Sequence, residues 1–167
     1  MVNGRAIRMN ERDYEAIIAD YLPLLYRVAK TILINDQDCA DAVQEAILRG
    51  WTKRGQLRDP KLIRPWLARI TVNECRNLQR RAHRQRKAVE AAMDDLRARP
   101  RPGSAHTDLE AAMTELPEKY RLPLVLYYSE KCTVREIACI MNIPEGRLRE
   151  RMRTARKLLE RSLNHEA

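Results

Sequence analysis

The chain has 167 residues, a length that accommodates one domain or two small ones. It contains no Phe, and aromatic residues make up only 5% of it, so a core has to be built mainly from aliphatic side chains, which two compact helical units achieve more readily than one large β-sandwich. The formal net charge of +9 favours a polyanionic partner such as nucleic acid, and no apolar run approaches the roughly 18 residues of a membrane span, which argues against membrane insertion.

The first part of the chain predicts two amphipathic helices. Apolar side chains recur at helical spacing across residues 14–33, and Pro23 interrupts the pattern. Because Pro removes one intrahelical hydrogen bond, we expect either a kink there or a short helix followed by a second one that begins near Pro23. Asn35 is suited to cap the next helix, which the spacing predicts over residues 38–53 with one apolar face.

A third helix with two different faces follows a loop. Gly55 and the Asp59-Pro60 pair mark the loop, and Pro65 fits the first turn of the helix. Opposite its apolar stripe lies a polar stripe of Arg69, Asn73, Arg76, Asn77 and Arg80. This stripe runs into a dense set of cations at residues 80–87, for which two interpretations stay open: a solvated basic tail, or a surface set against phosphates.

The chain divides at residues 97–104, where Pro, Gly and Arg are concentrated and nothing could build a core. The elements on either side predict an all-α fold of two small helical domains joined by a flexible basic linker. We place the first domain at residues 10–87, the linker at residues 88–106 and the second domain at residues 107–165.

The second domain is predicted to open with two further helices. Thr107 and Asp108 are candidate caps for the first, and Pro117 resets the chain before the second, in which Pro123 lies close to the start. Their predicted apolar faces consist of Leu109, Ala112, Met113 and Leu116, then Tyr120, Leu124, Val125, Tyr127 and Tyr128.

The end of the chain predicts a helix-turn-helix. Thr133 and Glu136 match a capping box, which places a helix start near Thr133, and Asn142 can adopt the left-handed conformation that ends a helix. A second helix is expected from about Glu145, with a buried stripe of Leu148, Met152, Ala155 and Leu159. Two helices joined by so short a turn place the second one in the major groove of DNA.

The face opposite that buried stripe has the residue types that read DNA. It carries Arg149, Glu150, Arg153 and Lys157, flanked by Arg147, Arg151 and Arg156. Arg pairs with guanine edges and Glu accepts from cytosine, while the flanking cations suit phosphates. The alternative is a charged solvent face on a terminal helix, in which Glu150 pairs with Arg153 or Thr154.

The cysteines and the amino-terminal residues predict neither a metal site nor export. Cys39, Cys75, Cys132 and Cys139 lack the paired short spacings of zinc ligands, and the three histidines are scattered. We expect reduced, part-buried thiols, with a metal site as a minor alternative, and no cofactor. Residues 1–10 lack the apolar stretch of a signal peptide, so a cytoplasmic location is expected.

Several short segments of the sequence resemble those of the extracytoplasmic-function class of bacterial sigma factors, in the sigma-70 family. Region 4 of that class is similar to Leu-Pro-Glu-Lys-Tyr-Arg at residues 116–121, Glu-Ile-Ala at residues 136–138, and the basic segment at residues 146–156. Region 2 is similar to Asp-Ala-Val-Gln-Glu at residues 41–45 with Trp51, and to Trp-Leu-Ala-Arg-Ile at residues 66–70 with Val72 and Asn73. Four positions depart from the pattern of the class. Ala40 stands where the class favours an acidic residue, and Lys131 where it favours a Gly in a turn. Arg147 and Glu150 stand where it favours Thr and Ser, respectively.

The resemblance implies a sigma factor rather than an enzyme. Its partners would be core RNA polymerase, promoter DNA and an anti-sigma factor. The contacts with polymerase would be made to the clamp helices of the largest subunit and to the flap of the second largest subunit. The implied polymerase-binding residues are Asp41, Gln44, Glu45 and Arg49. The implied minus-ten residues are Arg64, Arg69, Asn73, Arg76, Asn77 and Arg80. The implied minus-thirty-five residues are Arg147, Arg149, Glu150, Arg151, Arg153 and Lys157.

Two other classes of protein remain as rival interpretations. The first is a helix-turn-helix regulator that binds an operator by itself through a helical dimerisation domain. The second is a nucleic-acid enzyme, which the sequence supports less because it shows no clustered carboxylates, no paired His and Cys ligands and no glycine-rich phosphate loop.

Overall fold

The computed structural model describes residues 9–90 and 108–165, which form seven α-helices and no strand. The helices are α1 (Glu11–Ile32), α2 (Asp36–Lys53), α3 (Ile63–Glu90), α4 (Asp108–Glu115), α5 (Glu118–Tyr128), α6 (Val134–Met141) and α7 (Glu145–His165). Two short 3-10 turns, Arg54–Gln56 and Pro60–Leu62, lie between α2 and α3. The all-α prediction is confirmed, and none of these helices combines the length and apolar character that a bilayer crossing requires.

The predicted linker falls largely outside the described residues. Its first three positions continue α3, and positions 91–106, like the candidate cap Thr107, are not among those described. On either side lie a first helix group, α1–α3, and a second helix group, α4–α7.

The first helix group begins its helices where polar side chains can satisfy free backbone N–H groups. Asn10 Oδ1 accepts from the backbone N–H of Asp13 at 2.8 Å, and Asn35 Oδ1 accepts from that of Gln37 at 2.7 Å. Pro23 lies inside a continuous α1, so the alternative of two separate helices is wrong. Burial of the adjacent Leu24 and Leu25 holds the helix together across the missing hydrogen bond.

The helix α3 runs past the predicted end of the first domain. It begins at Ile63, which leaves Pro65 in the first turn as expected, and it continues through Glu90. The cationic residues 80–87 are therefore part of a helix, and nearly all of them are exposed. Exposure suits both interpretations of this segment, solvation and phosphate contact.

The helix-turn-helix of the second group is confirmed. Thr133 Oγ1 accepts from the backbone N–H of Glu136 at 3.2 Å, and Glu136 Oε2 accepts from that of Thr133 at 2.7 Å. Asn142 ends α6 in the left-handed conformation, with φ 54°. In α7 the predicted stripe faces inward: Leu148, Met152 and Ala155 are buried and Leu159 is partly buried.

The second group differs from the sequence prediction in which side chains are covered. Leu109 and Tyr128, which belong to the predicted apolar faces, are exposed, and Tyr127 is at the border of exposure. Leu122 and Leu126 are buried instead. The turn after α5 passes through Lys131 at φ 54°, a backbone conformation that costs a residue with a Cβ about 1–2 kcal/mol and that explains the preference for Gly there.

The two helix groups share one apolar core. Leu122, Leu126 and Ile137 of the second group belong to the same buried cluster as Val28 and Val72 of the first. The cluster forms where α5 packs on α1 and α6 packs on α3. A smaller cluster inside the second group contains Leu116, Leu124 and Ala155. The sequence alone did not predict that the two groups pack together.

Three of the four cysteines lie in the core. Cys39, Cys75 and Cys132 are buried free thiols, as expected, whereas Cys139 is exposed. Burial raises the pKa of Cys75 to about 12 and that of Cys132 to about 11, and it also raises the pKa of Cys39. Burial likewise raises the pKa of the Tyr14 hydroxyl to about 12.

Gly50 allows α2 to approach α1 and α3 closely. A Cβ at this position would overlap the hydroxyl of Tyr14 and lie 3.0 Å from Cδ2 of Leu67. Tyr14 cannot move away freely, because its hydroxyl donates to the carbonyl of Ile47 at 2.7 Å and its ring packs on Trp51.

We predict that Gly50→Ala lowers the free energy of unfolding by about 1–3 kcal/mol, because the added methyl group overpacks this contact. Urea denaturation followed by circular dichroism measures the change. Gly146→Ala is the matched control, because Gly146 lies in α7 and has open space where the methyl group is added. Only helix propensity changes there, so the free energy of unfolding of this variant should stay the same or rise by up to about 1 kcal/mol. Equal stability of the two variants would contradict the close contact.

We also predict that the protein loses stability as the pH rises above about 9. In the unfolded chain a thiol ionises near 9.0 and a phenol near 10.0, whereas the folded chain keeps the protons of Cys75 and Tyr14 up to about 12. Across that window the unfolded chain binds fewer protons, which favours unfolding.

Urea denaturation at about pH 8 and about pH 10.5 measures this loss. Cys75→Ala removes one buried thiol and is expected to reduce it, whereas Cys139→Ala removes an exposed thiol and is expected to leave it unchanged. The same loss in Cys75→Ala as in the unaltered protein would show that this thiol does not contribute.

Candidate nucleic-acid interface

One face of α2 is polar and exposed. Asp41, Gln44 and Glu45, three of the residues predicted to bind polymerase, are all exposed there. Leu48 lies one turn further along the same face and is 55% exposed. An exposed Leu among acidic residues adds apolar contact area to this surface, and the sequence analysis missed it because helical spacing alone does not show which apolar residue is left uncovered.

The fourth predicted residue of this set, Arg49, is engaged within the first helix group. Its Nε lies 2.9 Å from a carboxylate oxygen of Glu74 and 3.4 Å from one of Glu45. The Glu74 side chain is buried, and a buried carboxylate is stable only with a partner. Arg49 therefore stabilises the packing of α2 on α3, whatever else it contacts.

The polar face of α3 is divided between solvent and the second helix group. Asn73 and Arg80 are exposed, and Asn77 is partly buried. Arg80 donates to the side-chain oxygen of Asn77 at 3.2 Å. A shallow groove at this end of α3 is lined by Asn77, Gln79, Arg80, Arg81, His83 and Arg84.

The three remaining predicted residues of α3 all contact the second helix group. Arg64 donates to the backbone carbonyl of Glu130 and lies 3.6 Å from a carboxylate oxygen of Glu136. Arg69 donates to the side-chain oxygen of Asn142 at 3.0 Å. Arg76 donates twice to one carboxylate oxygen of Glu118, at 3.0 and 3.2 Å. The structure thus brings these arginines against acceptors that the sequence analysis did not connect with them.

Glu130 lies at the centre of the contact between the two helix groups. Its side chain is 4% exposed and accepts from Arg27 at both oxygens, with 2.8 Å between Nη2 and Oε2. The hydrogen bonds that Arg27 donates to Glu130 raise the pKa of the Arg27 guanidinium. Sequence reasoning missed both residues, because nothing local distinguishes Glu130 from an exposed turn residue.

Arg121 joins the ends of two helices across the same interface. It donates to the carbonyl of Thr31 near the end of α1 at 2.9 and 3.1 Å, and to the carbonyls of Thr114 and Leu116 at 2.8 and 2.9 Å. Burial lowers the pKa of Arg121. A cation at the carboxyl ends of α1 and α4 also offsets their helix dipoles.

The charged face of α7 is open. Five of the six residues predicted to read DNA are exposed, and Arg151 is partly buried; the exposed five are Arg147, Arg149, Glu150, Arg153 and Lys157. Arg149 pairs with Glu145 at 3.3 Å on the surface, a contact that both side chains can exchange for others.

Two tyrosines extend this charged face. Arg156 donates to the hydroxyl of Tyr128 at 3.2 Å. Tyr127 lines a groove together with Val134, Arg149, Met152, Arg153 and Arg156. Aromatic rings beside arginines suit stacking and phosphate contact. The sequence analysis did not include these tyrosines in the charged face, because it assigned their positions in α5 to an apolar face.

The described residues offer no ready metal site. Within residues 9–90 and 108–165, no three His, Cys, Asp or Glu side chains are grouped closely enough to hold an ion.

Two family profiles match the chain, one on each side of the predicted linker. "Sigma-70 region 2" matches residues 17–85, and "Sigma-70, region 4" matches residues 106–159. The first contains α2 and the polar part of α3, and the second contains α4–α6 and most of α7.

Whole-length relatives carry the same description. The RNA polymerase sigma factor SigV of Bacillus subtilis is 28% identical over 149 residues, which is 89% of this chain and 90% of that protein. The ECF RNA polymerase sigma factor SigW of Bacillus subtilis is 26% identical, over 95% of this chain and 94% of that protein. Among solved structures, the sigma factor RpoE in complex with the anti-sigma factor NepR from Bartonella quintana superposes with a TM-score of 0.75 at 21% identity, over 92% of this chain and 98% of that one. At that identity the superposition supports the fold alone.

Proposed function

Because the chain belongs to the sigma-70 family, in its extracytoplasmic-function class, we propose that α2, α3 and α7 carry its contacts with polymerase and promoter DNA. The family activity is to bind core RNA polymerase and direct it to promoters for transcription initiation, so this chain is an initiation factor and not an enzyme. The observation that carries the proposal is the exposed charged face of α7, opposite the buried stripe of a helix-turn-helix that follows region 2 in the same chain.

The α7 face is the proposed reader of the minus-thirty-five element as duplex DNA. The amino-terminal part of the second helix of such a motif approaches base edges in the major groove, and here that part carries Arg147, Arg149 and Glu150. Arg149 and Arg153 have the donor geometry for guanine, and Glu150 can accept from cytosine. Arg151 and Lys157 can contact phosphates, which would hold the helix in register.

The α3 face is the proposed site for the minus-ten element. There the non-template strand has to leave the duplex, and an unstacked base costs a few kcal/mol that protein contacts must return. Asn73 and Asn77 can hydrogen-bond an extruded base, and Arg80 and Arg76 can follow the phosphates. Arg64 and Arg69 belong to the same path. These two arginines and Arg76 become available when their contacts with the second helix group are released.

The exposed face of α2 is the proposed polymerase contact. Asp41, Gln44 and Glu45 offer acceptors to the clamp helices of the largest subunit, and Leu48 adds an apolar contact beside them. Arg49 borders this surface while it pairs with Glu74. The second helix group would contact the flap of the second largest subunit.

An anti-sigma factor is the proposed regulator. The RpoE structure that shares this fold is a complex with the anti-sigma factor NepR, and a protein that binds polymerase through exposed surfaces can be controlled by covering them. We place the protein in the cytoplasm, where polymerase and promoter DNA are found.

Transcription in vitro tests the function directly. Purified protein and core polymerase are incubated with a library of genomic fragments, and transcripts are mapped to their start sites. Transcripts that require both proteins and share two spaced sequence elements support the proposal. Strong, sequence-specific binding to a duplex without polymerase, and no transcript with it, would instead indicate a self-sufficient helix-turn-helix regulator.

We predict that Arg149→Ala and Arg153→Ala each change promoter preference, by about 1–3 kcal/mol if the arginine contacts a base. Competition between promoter variants, measured with holoenzyme, gives the preference. Arg161→Ala removes an exposed arginine from the far end of α7 and is the control. Uniform weakening across all sequences would assign Arg149 and Arg153 to phosphates.

We also predict that Asp41→Lys and Glu45→Lys weaken binding to core polymerase, by about tenfold or more, because reversed charge disfavours the same electrostatic surface. Fluorescence titration of labelled protein with core polymerase measures the affinity. Glu15→Lys, the same change on an exposed face of α1, is the control. Unchanged circular dichroism together with unchanged affinity would remove both residues from the interface.

A further inference from the structure

A buried carboxylate lies beneath the polar face of α3. Glu74 is 5% exposed, and its Oε1 lies 2.9 Å from Nε of Arg49 on α2. A buried ion pair is often no more stabilising than apolar side chains of similar volume at the same place. The packing of α2 on α3 therefore does not account for the carboxylate, and its other neighbours have to be considered.

The second oxygen of Glu74 faces the amide of Asn77, one turn further along α3. Asn77 Nδ2 lies 3.5 Å from Glu74 Oε2, a long contact in which the carboxylate acts mainly as a charge beside a dipole. On the other side, Asn77 Oδ1 accepts from Nη2 of Arg80 at 3.2 Å. Arg80 is itself tied to the helix, because its Nε donates to the carbonyl of Arg76 at 3.3 Å. The amide thus has a negative charge beside its nitrogen and a positive charge beside its oxygen.

These two charges fix the orientation of the Asn77 amide. If the amide turned over, its oxygen would face the Glu74 carboxylate and its NH2 group would face the Arg80 guanidinium, and both contacts are repulsive. In the observed orientation one lone pair of Oδ1 and one N–H of Nδ2 remain free. Asn77 also lines the groove at this end of α3, where a strand can reach these two groups.

An amide held in one orientation distinguishes two classes of base. On the edge that an extruded base presents, adenine and cytosine have an amino N–H next to a ring acceptor, whereas guanine and thymine have a carbonyl next to a ring N–H. An amide can form two hydrogen bonds with either class, but the order of donor and acceptor is reversed between these amino bases and keto bases. Because strand polarity restricts how a base enters, an amide that cannot turn over favours one class and leaves its groups unpaired with the other.

We infer that Glu74 is a positioning residue for strand recognition: it contacts no DNA itself, and it makes Asn77 selective between amino bases and keto bases at one position of the minus-ten element. This rests on the assignment of α3 to that element. Arg49 holds the Glu74 carboxylate in place, so its role extends from the border of the polymerase surface to the recognition of the strand.

A selection experiment with holoenzyme tests this role. Core polymerase and the full-length chain are mixed with single-stranded DNA that is randomised over a central stretch, and the bound strands are sequenced after subtraction of those that core polymerase binds alone. Selectivity is the ratio of the favoured class of base to the other class at each position. A change in net charge does not alter this ratio, because attraction to phosphates is the same for all sequences.

Asn77→Ala and Glu74→Gln are expected to act at the same position. Asn77→Ala removes the amide and is expected to lower selectivity there about fivefold or more. In Glu74→Gln the side-chain oxygen stays with Arg49 and the NH2 group turns toward Asn77, so the Asn77 amide can turn over and selectivity is expected to fall at least about threefold. The double variant is expected to match Asn77→Ala, because Glu74 acts through Asn77.

Glu15→Gln is the control, because it removes one negative charge from an exposed position of α1 and is expected to change selectivity nowhere. Unchanged selectivity in Glu74→Gln, or an equal fall at every position, overturns the inference, since a residue that only stabilises the packing of α2 on α3 affects all strands alike. A larger fall in the double variant than in Asn77→Ala also overturns it, because Glu74 would then act by another route.

Circular dichroism checks the folding of each variant. If Glu74→Gln unfolds, Glu74→Met takes its place, because it replaces the buried charge with an apolar side chain of similar size. This variant leaves Asn77 without the neighbouring carboxylate and is expected to lower selectivity at the same position. No change at that position would overturn the inference.

The unaltered protein and Asn77→Ala separate this inference from the proposed function. If holoenzyme with the unaltered chain shows no selectivity at any position, or if Asn77→Ala changes none, the assignment of this face of α3 to the minus-ten element fails. If Asn77→Ala loses selectivity at one position while Glu74→Gln keeps it, that assignment stands and the positioning role of Glu74 alone fails.

Discussion

The packing of α6 on α3 is the contact on which the rest of the structure depends, because it merges the apolar faces of two small helix groups into one cluster. A chain without Phe has few large side chains, and a small group of helices by itself buries a limited fraction of its surface. Full burial of a side chain such as Leu122 or Ile137 is worth about 1.5–3 kcal/mol. The shared core is therefore a substantial gain for a protein of this composition.

A ring of arginines surrounds that core and satisfies polar groups that packing would otherwise leave without partners. Arg27 reaches a buried carboxylate, Arg64 a turn carbonyl, and Arg121 the carboxyl ends of α1 and α4. The planar guanidinium has several donors and keeps its charge, so it can serve carbonyls and carboxylates at once. Because the 32 basic residues exceed the 23 acidic ones, cations remain in excess on the exposed end of α3 and on α7.

In this arrangement the polar surfaces of the sigma factor differ in their exposure to solvent. The faces of α2 and α7 are exposed, whereas much of the α3 face is occupied by the second helix group. The polar faces of the three helices therefore differ in how accessible they are to a partner.

The sequence by itself determined the features that depend on residues a few positions apart. Helical periodicity located the helices, the Thr133 and Glu136 pair located the start of α6, Asn142 located its end, and the spacing of Leu148, Met152 and Ala155 oriented the charged face of α7. Each of these follows from backbone geometry and local hydrogen bonding, which the order of residues specifies directly. The same holds for the motifs that identify regions 2 and 4.

Only the tertiary structure decided which distant surfaces meet. Arg27 and Glu130 are 103 positions apart, and no local pattern pairs one cation among many with one buried carboxylate. The exposure of Tyr128, the burial of Leu122 and the continuity of α1 through Pro23 depend likewise on which helix packs alongside. Burial and charge pairing are properties of the assembled chain, because they depend on the solvent that neighbouring helices exclude.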